Sequence, residues 1–376
     1  MFILILALFS LAYFILILWF IIGFDKCDEI VNLHEKAQEN FSVIIPIRNE
    51  EANLPGLLAS LSRLKYPSSK FEMIFIDDDS QDHSITIVKK WQLENKKFTT
   101  SLLNNIRITN SPKKDALTLA ISKSKFNWIV TTDADCIIPK NWLAMFNQII
   151  LNKNPYLIAA PVKFKKNHSF LHQFQNFNFL SLIGSTIGAF GLKKPFMCNG
   201  ANLCYSKGIF NDVNGFEENA NLASGDDIFI LEKIIKNYPR KAIYLQSEEA
   251  IVATKSEANW GLFVQQQLRW ASKTSAYTNL FTKGIGILVF LQNLLLIVYC
   301  LLLIINKEYF QYFIIIFTLK LVIDYSLINK TAKFLNSKIN FINFLFSSIL
   351  YPLFVTYIGV LSITKNYEWK GRTFKS

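Results

Sequence analysis

Histidine and cysteine are scarce in this chain of 376 residues, with four His (34, 83, 168, 172) and five Cys (27, 136, 198, 204, 300). No His sits beside a candidate nucleophile, so neither a Ser-His-Asp nor a Cys-His arrangement is suggested. The cysteines form no Cys-x-x-Cys pair and no His-paired metal spacing. Their odd, unpatterned count fits a soluble part in a reducing compartment. A Walker-type G-x-x-x-x-G-K-[ST] is absent, as are internal repeats and low-complexity segments. The net charge is +12, but the lysines are scattered and no nucleic-acid motif accompanies them. Nucleic acid is therefore not an expected partner; anionic lipid headgroups and an anionic substrate suit such a surface better.

What the chain has in abundance is apolar sequence, unevenly spread. Residues 1–24 carry no charge and are long enough to cross a bilayer. A cleaved signal peptide is the competing reading. The missing basic n-region, the length of the apolar run and the lack of a small-x-small site weigh against it. Three further runs of spanning length cover 285–305, 310–328 and 339–363. The expected organisation is an anchor at 1–24, a polar connector at 25–40, an α/β domain at 41–280, membrane segments at 281–364 and a basic tail at 365–376. The tail (Lys365, Lys370, Arg372, Lys375) favours the inner side, whereas three simple C-terminal spans would leave it outside. Pro352 allows a broken or re-entrant last segment that would reconcile the two.

Between the membrane runs, strand and helix patterns alternate. Strands are expected at 41–46, 71–76, 102–108 and 128–132, and helices at 49–64, 80–93 and 113–124. That order implies a parallel sheet covered on both faces. Residues 170–190 are neutral and rich in aromatics, Gln and Asn, more like an interfacial helix than a core one. Helices are also expected at 226–236 and 260–277.

The strand ends carry the chemistry. The run Trp128-Ile-Val-Thr-Thr-Asp133-Ala-Asp135-Cys136 ends a buried strand in two carboxylates. Carboxylates so spaced can reach one hard divalent cation, with a nucleotide diphosphate completing its shell. They can equally be turn and capping groups. The first strand runs into Pro46, Arg48, Asn49, Glu50 and Glu51, and the second into Asp77, Asp78, Asp79 and Asp82. Like charges crowded in this way call for a metal or for a ligand's donors, such as a nucleoside's. Lys113 and Lys114 open a helix with the wrong sign for its dipole, so a nearby anion is expected. Asn199-Gly200-Ala201-Asn202 is a small-residue loop open to close approach. Ser224-Gly225-Asp226-Asp227 starts a helix; one Asp suffices as a cap and the other can act as a general base. Gln266, Arg269 and Trp270 share one helix face, which also suits a plain interfacial helix.

Together these stretches resemble the membrane-bound family 2 glycosyltransferases of GT-A fold, marked by D, D-x-D, (T/G)-(E/D)-D and Q-x-x-R-W. The likeness runs in order from Phe41 to Trp270, and Trp369-Lys-Gly-Arg372 resembles a tail motif of some members. The resemblance implies a Rossmann-like GT-A domain with N- and C-terminal transmembrane helices. By it, Pro46, Arg48, Glu50 and Asp78 line a nucleoside pocket, and Lys114 matches a donor-side lysine. Asp133 and Asp135 hold the donor diphosphate through Mg2+ or Mn2+, and Asp227 is the general base. Gln266, Arg269 and Trp270 close over diphosphate and acceptor, with Asn199, Gly200 and Asp226 on the acceptor side. Three residues depart from the pattern: Asp79 for a small residue, Asp226 for the more frequent Glu, and Asn199 where polymer-forming members often carry Cys.

The implied activity is inverting transfer of a sugar, from a nucleotide-sugar (UDP-sugar) donor to a lipid or polyprenoid hydroxyl. The implied place is the cytoplasmic face of the cell membrane. The alternative is a processive polysaccharide synthase extending a glycan, with a partner subunit or a second copy completing its pore.

Overall fold

A computed structural model describes residues 2–29, 35–220 and 222–374; Lys375 of the basic tail and part of the connector lie outside them. The chain forms two compact units, one of Asp28–Lys165 and Pro195–Lys255, the other of Met1–Cys27, Lys166–Lys194 and Ser256–Ser376. In this division the segments around 170–190 and 260–280, placed by sequence within 41–280, go with the apolar helices.

The α/β unit contains strands β1 (Phe41–Ile47), β2 (Phe71–Asp77), β3 (Thr99–Asn104) and β4 (Trp128–Thr131). It continues with β5 (Leu157–Ala159), β6 (Val162–Phe164), β7 (Leu203–Ser206), β8 (Ala242–Tyr244) and β9 (Val252–Thr254). Its helices are α2 (Leu54–Leu61), α3 (Ser84–Glu94), α4 (Pro112–Lys123), α5 (Trp142–Lys153), α7 (Lys207–Asp212) and α8 (Asp226–Asn237). The main sheet has seven strands in the order β3-β2-β1-β4-β7-β5-β8, and β6 pairs with β9 apart from it. β2 is buried along its whole length and β1 almost so, hence their continuous apolar runs.

The first four strands are parallel, and β7 runs antiparallel to β4 and β5. Two consequences follow for position. The chain order reverses between β1 and β4, which makes that pair a switch point where a crevice opens at the carboxyl edge. Ile44 pairs with Thr131, the last residue of β4, and its carbonyl accepts from Thr132 N–H. Pro46, two residues on, turns its missing N–H to that same side, past the end of β4, where no ladder bond is lost. Because β7 is antiparallel, the turn just before it lies at the same edge, and Thr131 Oγ1 donates to Gly200 O at 2.8 Å.

The second unit contains α1 (Phe2–Lys26), α6 (Phe170–Gly191), α9 (Trp260–Ser272), α10 (Leu280–Ile305), α11 (Tyr309–Phe334) and α12 (Phe341–Thr364). A hairpin, β10 (Tyr367–Trp369) and β11 (Arg372–Phe374), ends it. Among the described residues, four helices are long and apolar enough to cross a membrane: α1 over Ala7–Lys26, α10, α11 and α12. Pro352 lies inside α12, which runs on as one helix, so the break that a proline there would allow is not made. The tail hairpin packs on α9: Glu368 N–H donates to Gln265 Oε1 at 2.9 Å, and Tyr367 joins a core with Phe263 and Phe174.

α6 also differs from expectation. It is buried around most of its circumference, not on one face as an interfacial helix would be. Gly184, Gly188 and Gly191 explain how a polar-aromatic helix fits there. A Cβ on Gly188 would run into the Phe20 carbonyl, and one on Gly191 into the Gly23 carbonyl. Gly188→Ala is accordingly expected to cost about 1–3 kcal/mol. Gly284→Ala, where a Cβ meets nothing within 4 Å, should leave stability unchanged. Thermal midpoints in detergent check both.

Candidate active site

Four elements of the α/β unit converge at the end of β4. Lys113, in the first turn of α4, donates from Nζ to Asp133 Oδ1 at 3.0 Å and lies 3.4 Å from Asp226 Oδ2. Burial would lower its pKa, but the carboxylates of Asp133, Asp226 and Asp227 outweigh that and hold the ammonium well above its usual range. Asp226 and Asp227 form the first turn of α8. The residue before them, Gly225, takes φ +84° and offers no side-chain cap, and Asp227 Oδ1 accepts from Ile228 N–H at 2.8 Å within the first turn. Asp227 Oδ2 accepts from Gly200 N–H at 3.1 Å, which ties α8 to the small-residue turn. Asn199 Oδ1 accepts from Ala201 N–H at 3.0 Å and shapes that turn. Asn202 is structural: fully buried, it accepts from Trp142 Nε1 and donates to the Pro161 and Ala250 carbonyls.

Lys114 does something else. Its Nζ donates to the carbonyls of Asn219 (2.8 Å) and Leu222 (2.9 Å) and lies over the Phe229 ring. It is 2% exposed and braces the loop leading into α8. The cation that faces the carboxylates is thus Lys113, while Lys114, the lysine that the resemblance implies on the donor side, points to these carbonyls. Neighbouring helix positions point about 100° apart, so a one-residue shift in register exchanges a structural lysine for a site lysine. The anion called for at this helix start is also supplied from within, by Asp133 and Asp226.

Asp135 lies two residues beyond Asp133, and its Oδ2 accepts from Thr254 Oγ1 at 2.8 Å. Lys165 Nζ stands 3.4 Å from the Asp135 carbonyl, its pKa lowered by burial and by Lys255 nearby. Asp133 and Asp135 offer only hard carboxylate oxygens. Among the described residues no group of three or more His, Cys, Asp or Glu could hold a metal ion. The pair therefore fits a hard cation that takes its other ligands from phosphate and water. Burial, with the Asp135 and Asp133 carboxylates adding to it, pushes the Cys136 thiol well above its ordinary pKa, which leaves it inert.

At the ends of β1 and β2 the carboxylates are met by cations of the protein. Arg107 Nε donates to Asp78 Oδ1 at 3.0 Å, and Asn105 Nδ2 to the same oxygen at 2.9 Å. Arg48 Nη1 donates to the carbonyls of Asp78 (2.6 Å) and Asp79 (3.0 Å). Asp77 accepts from Ser80 N–H. Asp82 accepts from the N–H groups of Glu51 and Ser84. Burial alone would raise the Asp82 pKa, but hydrogen bonds from Ser84 and Glu51 lower it. Charge crowding here is resolved internally, so it no longer points by itself to a ligand. Glu50 is buried and accepts from Asn53 Nδ2; it lines an open groove of about 450 Å3 with Asn49, Glu51, Asn53, Gln81 and Asp82.

Arg107 and Asn105 were not among the residues selected from sequence, and Lys113 was singled out only with Lys114 as a helix start in need of an anion. Arg107 was hidden by reading the third strand through 108. It stops at Asn104, where Asn105 N–H turns back to the Asp77 carbonyl.

The remaining candidates lie in the other unit, on α9. Gln266 Nε2 donates to Glu257 Oε1 at 2.9 Å, and the Arg269 guanidinium lies 5.1 Å from the centroid of the Trp369 ring in the tail hairpin. Trp270 is half-buried.

Comparison with known proteins fits this geometry. The model of the family "Glycosyl transferase family 2" matches residues 42–213, and that of "Glycosyl transferase family group 2" matches 128–324, more than half of the chain. The chain belongs to the family 2 glycosyltransferases. Within the family it is similar to a poly(ribitol-phosphate) β-N-acetylglucosaminyltransferase of Staphylococcus aureus, at 29% identity over 103 residues. That alignment covers 27% of this chain and 17% of the relative. An undecaprenyl-phosphate 4-deoxy-4-formamido-L-arabinose transferase of Shewanella sediminis is 29% identical over 103 residues, 27% of this chain and 30% of the relative. The chain thus spans less than a third of either relative's length. A solved mannosyltransferase of Pyrobaculum calidifontis, in complex with GDP-Man and Mn2+, aligns over 97% of this chain and 99% of its own, with TM-score 0.61 and 16% identity. That likeness is one of fold, and the fold is GT-A.

Proposed function

We propose that the protein is an inverting glycosyltransferase that moves a sugar from a nucleotide-sugar donor to a hydroxyl of a lipid or polyprenoid acceptor. The observation that carries this reading is the meeting of Asp133, Asp226 and Asp227 around Lys113 at the sheet's switch point, in a chain with four helices of spanning length. In this reading Pro46, Arg48, Glu50 and Asp78 receive the nucleoside, and Lys113 faces the diphosphate. Asp133 and Asp135 would hold Mg2+ or Mn2+, which supplies neutralisation of the charge that develops on the leaving group. Asp227 accepts the proton of the acceptor hydroxyl, placed near Asn199, Gly200 and Asp226. The hydroxyl oxygen bonds to the anomeric carbon as the bond from that carbon to the diphosphate oxygen breaks. Attack from the face opposite the leaving group in one displacement inverts the anomeric centre. Gln266, Arg269 and Trp270 are assigned to the diphosphate and the acceptor. The α/β unit is assigned to the cytoplasmic side of the cell membrane, where nucleotide sugars are made.

The lipid acceptor draws support from the relative named for undecaprenyl-phosphate and from the small number of spanning helices, which leaves little material for a glycan channel. The test is incubation of the purified protein in lipid extract with Mn2+ and radiolabelled UDP- and GDP-sugars. One labelled species in the organic phase is expected. Label in a water-soluble product of high molecular weight would replace this reading by a polysaccharide synthase. No transfer from any donor, with Asp227→Asn indistinguishable from the parent, would overturn both.

A further inference from the structure

The unit of apolar helices contains a buried ion pair. Lys320 and Asp324 lie one turn apart near the middle of α11, and Lys320 Nζ donates to Asp324 Oδ2. Their side chains are 8% and 20% exposed. Tyr13 of α1 donates from Oη to the other oxygen, Asp324 Oδ1, at 2.7 Å. The Lys320 ammonium lies 5.3 Å from the Tyr13 ring centroid and 5.8 Å from that of Tyr351 in α12. From Tyr351 the polar path continues. Its Oη donates to Asn178 Oδ1 of α6 at 3.1 Å, and Asn178 Nδ2 donates to Gln267 Oε1 of α9 at 3.3 Å. Five helices are joined in one path of side-chain contacts, and the path ends between Gln266 and Arg269.

Ionised groups in a span are costly, and where they persist they mark function more often than stability. Well-packed apolar residues of the same volume would hold helices together at least as well as a buried pair. Directional hydrogen bonds add to apolar packing a sharper preference for one rotation and register. The path reaches α9 at Gln267.

We propose that Lys320, Asp324, Tyr13, Tyr351 and Asn178 are positioning residues that set the seat of α9 through Gln267. They thereby hold Gln266, Arg269 and Trp270 in the orientation that transfer needs. This rests on the assignment of those three residues to diphosphate and acceptor made above.

The test uses the full chain in lipid nanodiscs. Removing one member of the pair would strand a buried charge, so the pair is replaced together, as Lys320→Met with Asp324→Leu; Asn178→Leu breaks the path nearer α9. Two readouts are taken, backbone hydrogen exchange across 260–272 and the steady-state constants for transfer. We expect thermal midpoints equal to or above the parent's, at least about tenfold faster exchange in α9, and kcat lowered about tenfold with donor KM unchanged. Combining the three substitutions should add little to either variant, as for members of one path. Parental exchange in α9, or parental kcat in the folded variants, would overturn the proposal. Faster exchange throughout the unit with a lowered midpoint would also overturn it, since that is a packing role. If the parent transfers no sugar, the functional reading above fails, and exchange in α9 still decides whether the path seats the helix.

Discussion

Asp227→Asn is expected to lower the turnover of sugar transfer by about 100- to 10,000-fold, the range lost with a general base. The fold should persist at a cost of about 1 kcal/mol, because an amide oxygen keeps one of the two N–H groups that Asp227 accepts, those of Gly200 and Ile228, and gives up the other. Donor binding should persist as well, since the proton is taken from the acceptor. Initial rates at saturating donor, beside the donor KM and the thermal midpoint, separate these effects. Asp226→Asn is the internal comparison. Asp226 lies 3.4 Å from Lys113 Nζ, so its loss should weaken donor and acceptor placement and leave measurable turnover. A larger fall for Asp226→Asn than for Asp227→Asn would transfer the role of base to Asp226.

Lys113→Met and Lys114→Met should differ in kind. Removing Lys113 leaves Asp133 and Asp226 facing the diphosphate without a balancing cation. A loss of about 100- to 1000-fold in turnover is expected, as for removal of one donor to a developing oxyanion. Some stability should go with it, because the largely buried Asp226 is left without its cation, so turnover per folded molecule is what separates the two variants. Removing Lys114 strips two carbonyls, those of Asn219 and Leu222, of a charged donor. That should cost about 1.5–3 kcal/mol of stability, with turnover per folded molecule largely kept. Chemical denaturation and rates normalised to folded protein give both numbers. The opposite pattern would return the site role to Lys114.

This exchange of neighbouring lysines shows what a sequence conveys and where it stops. β1, β2 and β4 were legible because buried parallel strands are uninterrupted apolar runs that end in polar residues. Asp133 and Asp135 were singled out from the end of β4, and Asp226 and Asp227 from the start of a helix. Which of two adjacent lysines faces the site depends on helix phase, and phase is set by tertiary packing. How the crowding at Asp77–Asp82 is balanced was not legible for a related reason. Its counter-charges, Arg48 and Arg107, come from two other loops, 28 to 31 positions away from the residues they meet. For α6, composition suggested a surface, because Gln and Asn read as solvated. In the structure, Gln175 pairs with the backbone of Glu257 and Asn178 with Gln267 and Tyr351, so the polarity is spent inside the unit. Partners distant in sequence leave no mark in local patterns.

The α/β unit is interrupted by α6, since the chain leaves it after Lys165 and returns at Pro195. The strand made directly on return is β7, and it belongs between β4 and β5, in the interior of the sheet. During synthesis, β4 and β5 emerge from the ribosome with a gap between them that nothing else in the chain fills. α6 emerges next, when α1 is the only one of its helical neighbours yet made. The sheet is therefore completed only after the chain has made its excursion into the apolar unit. Until β7 is made, β4 and β5 each keep an unpaired inner edge, which chaperones and proteases can meet before the last three spanning helices exist.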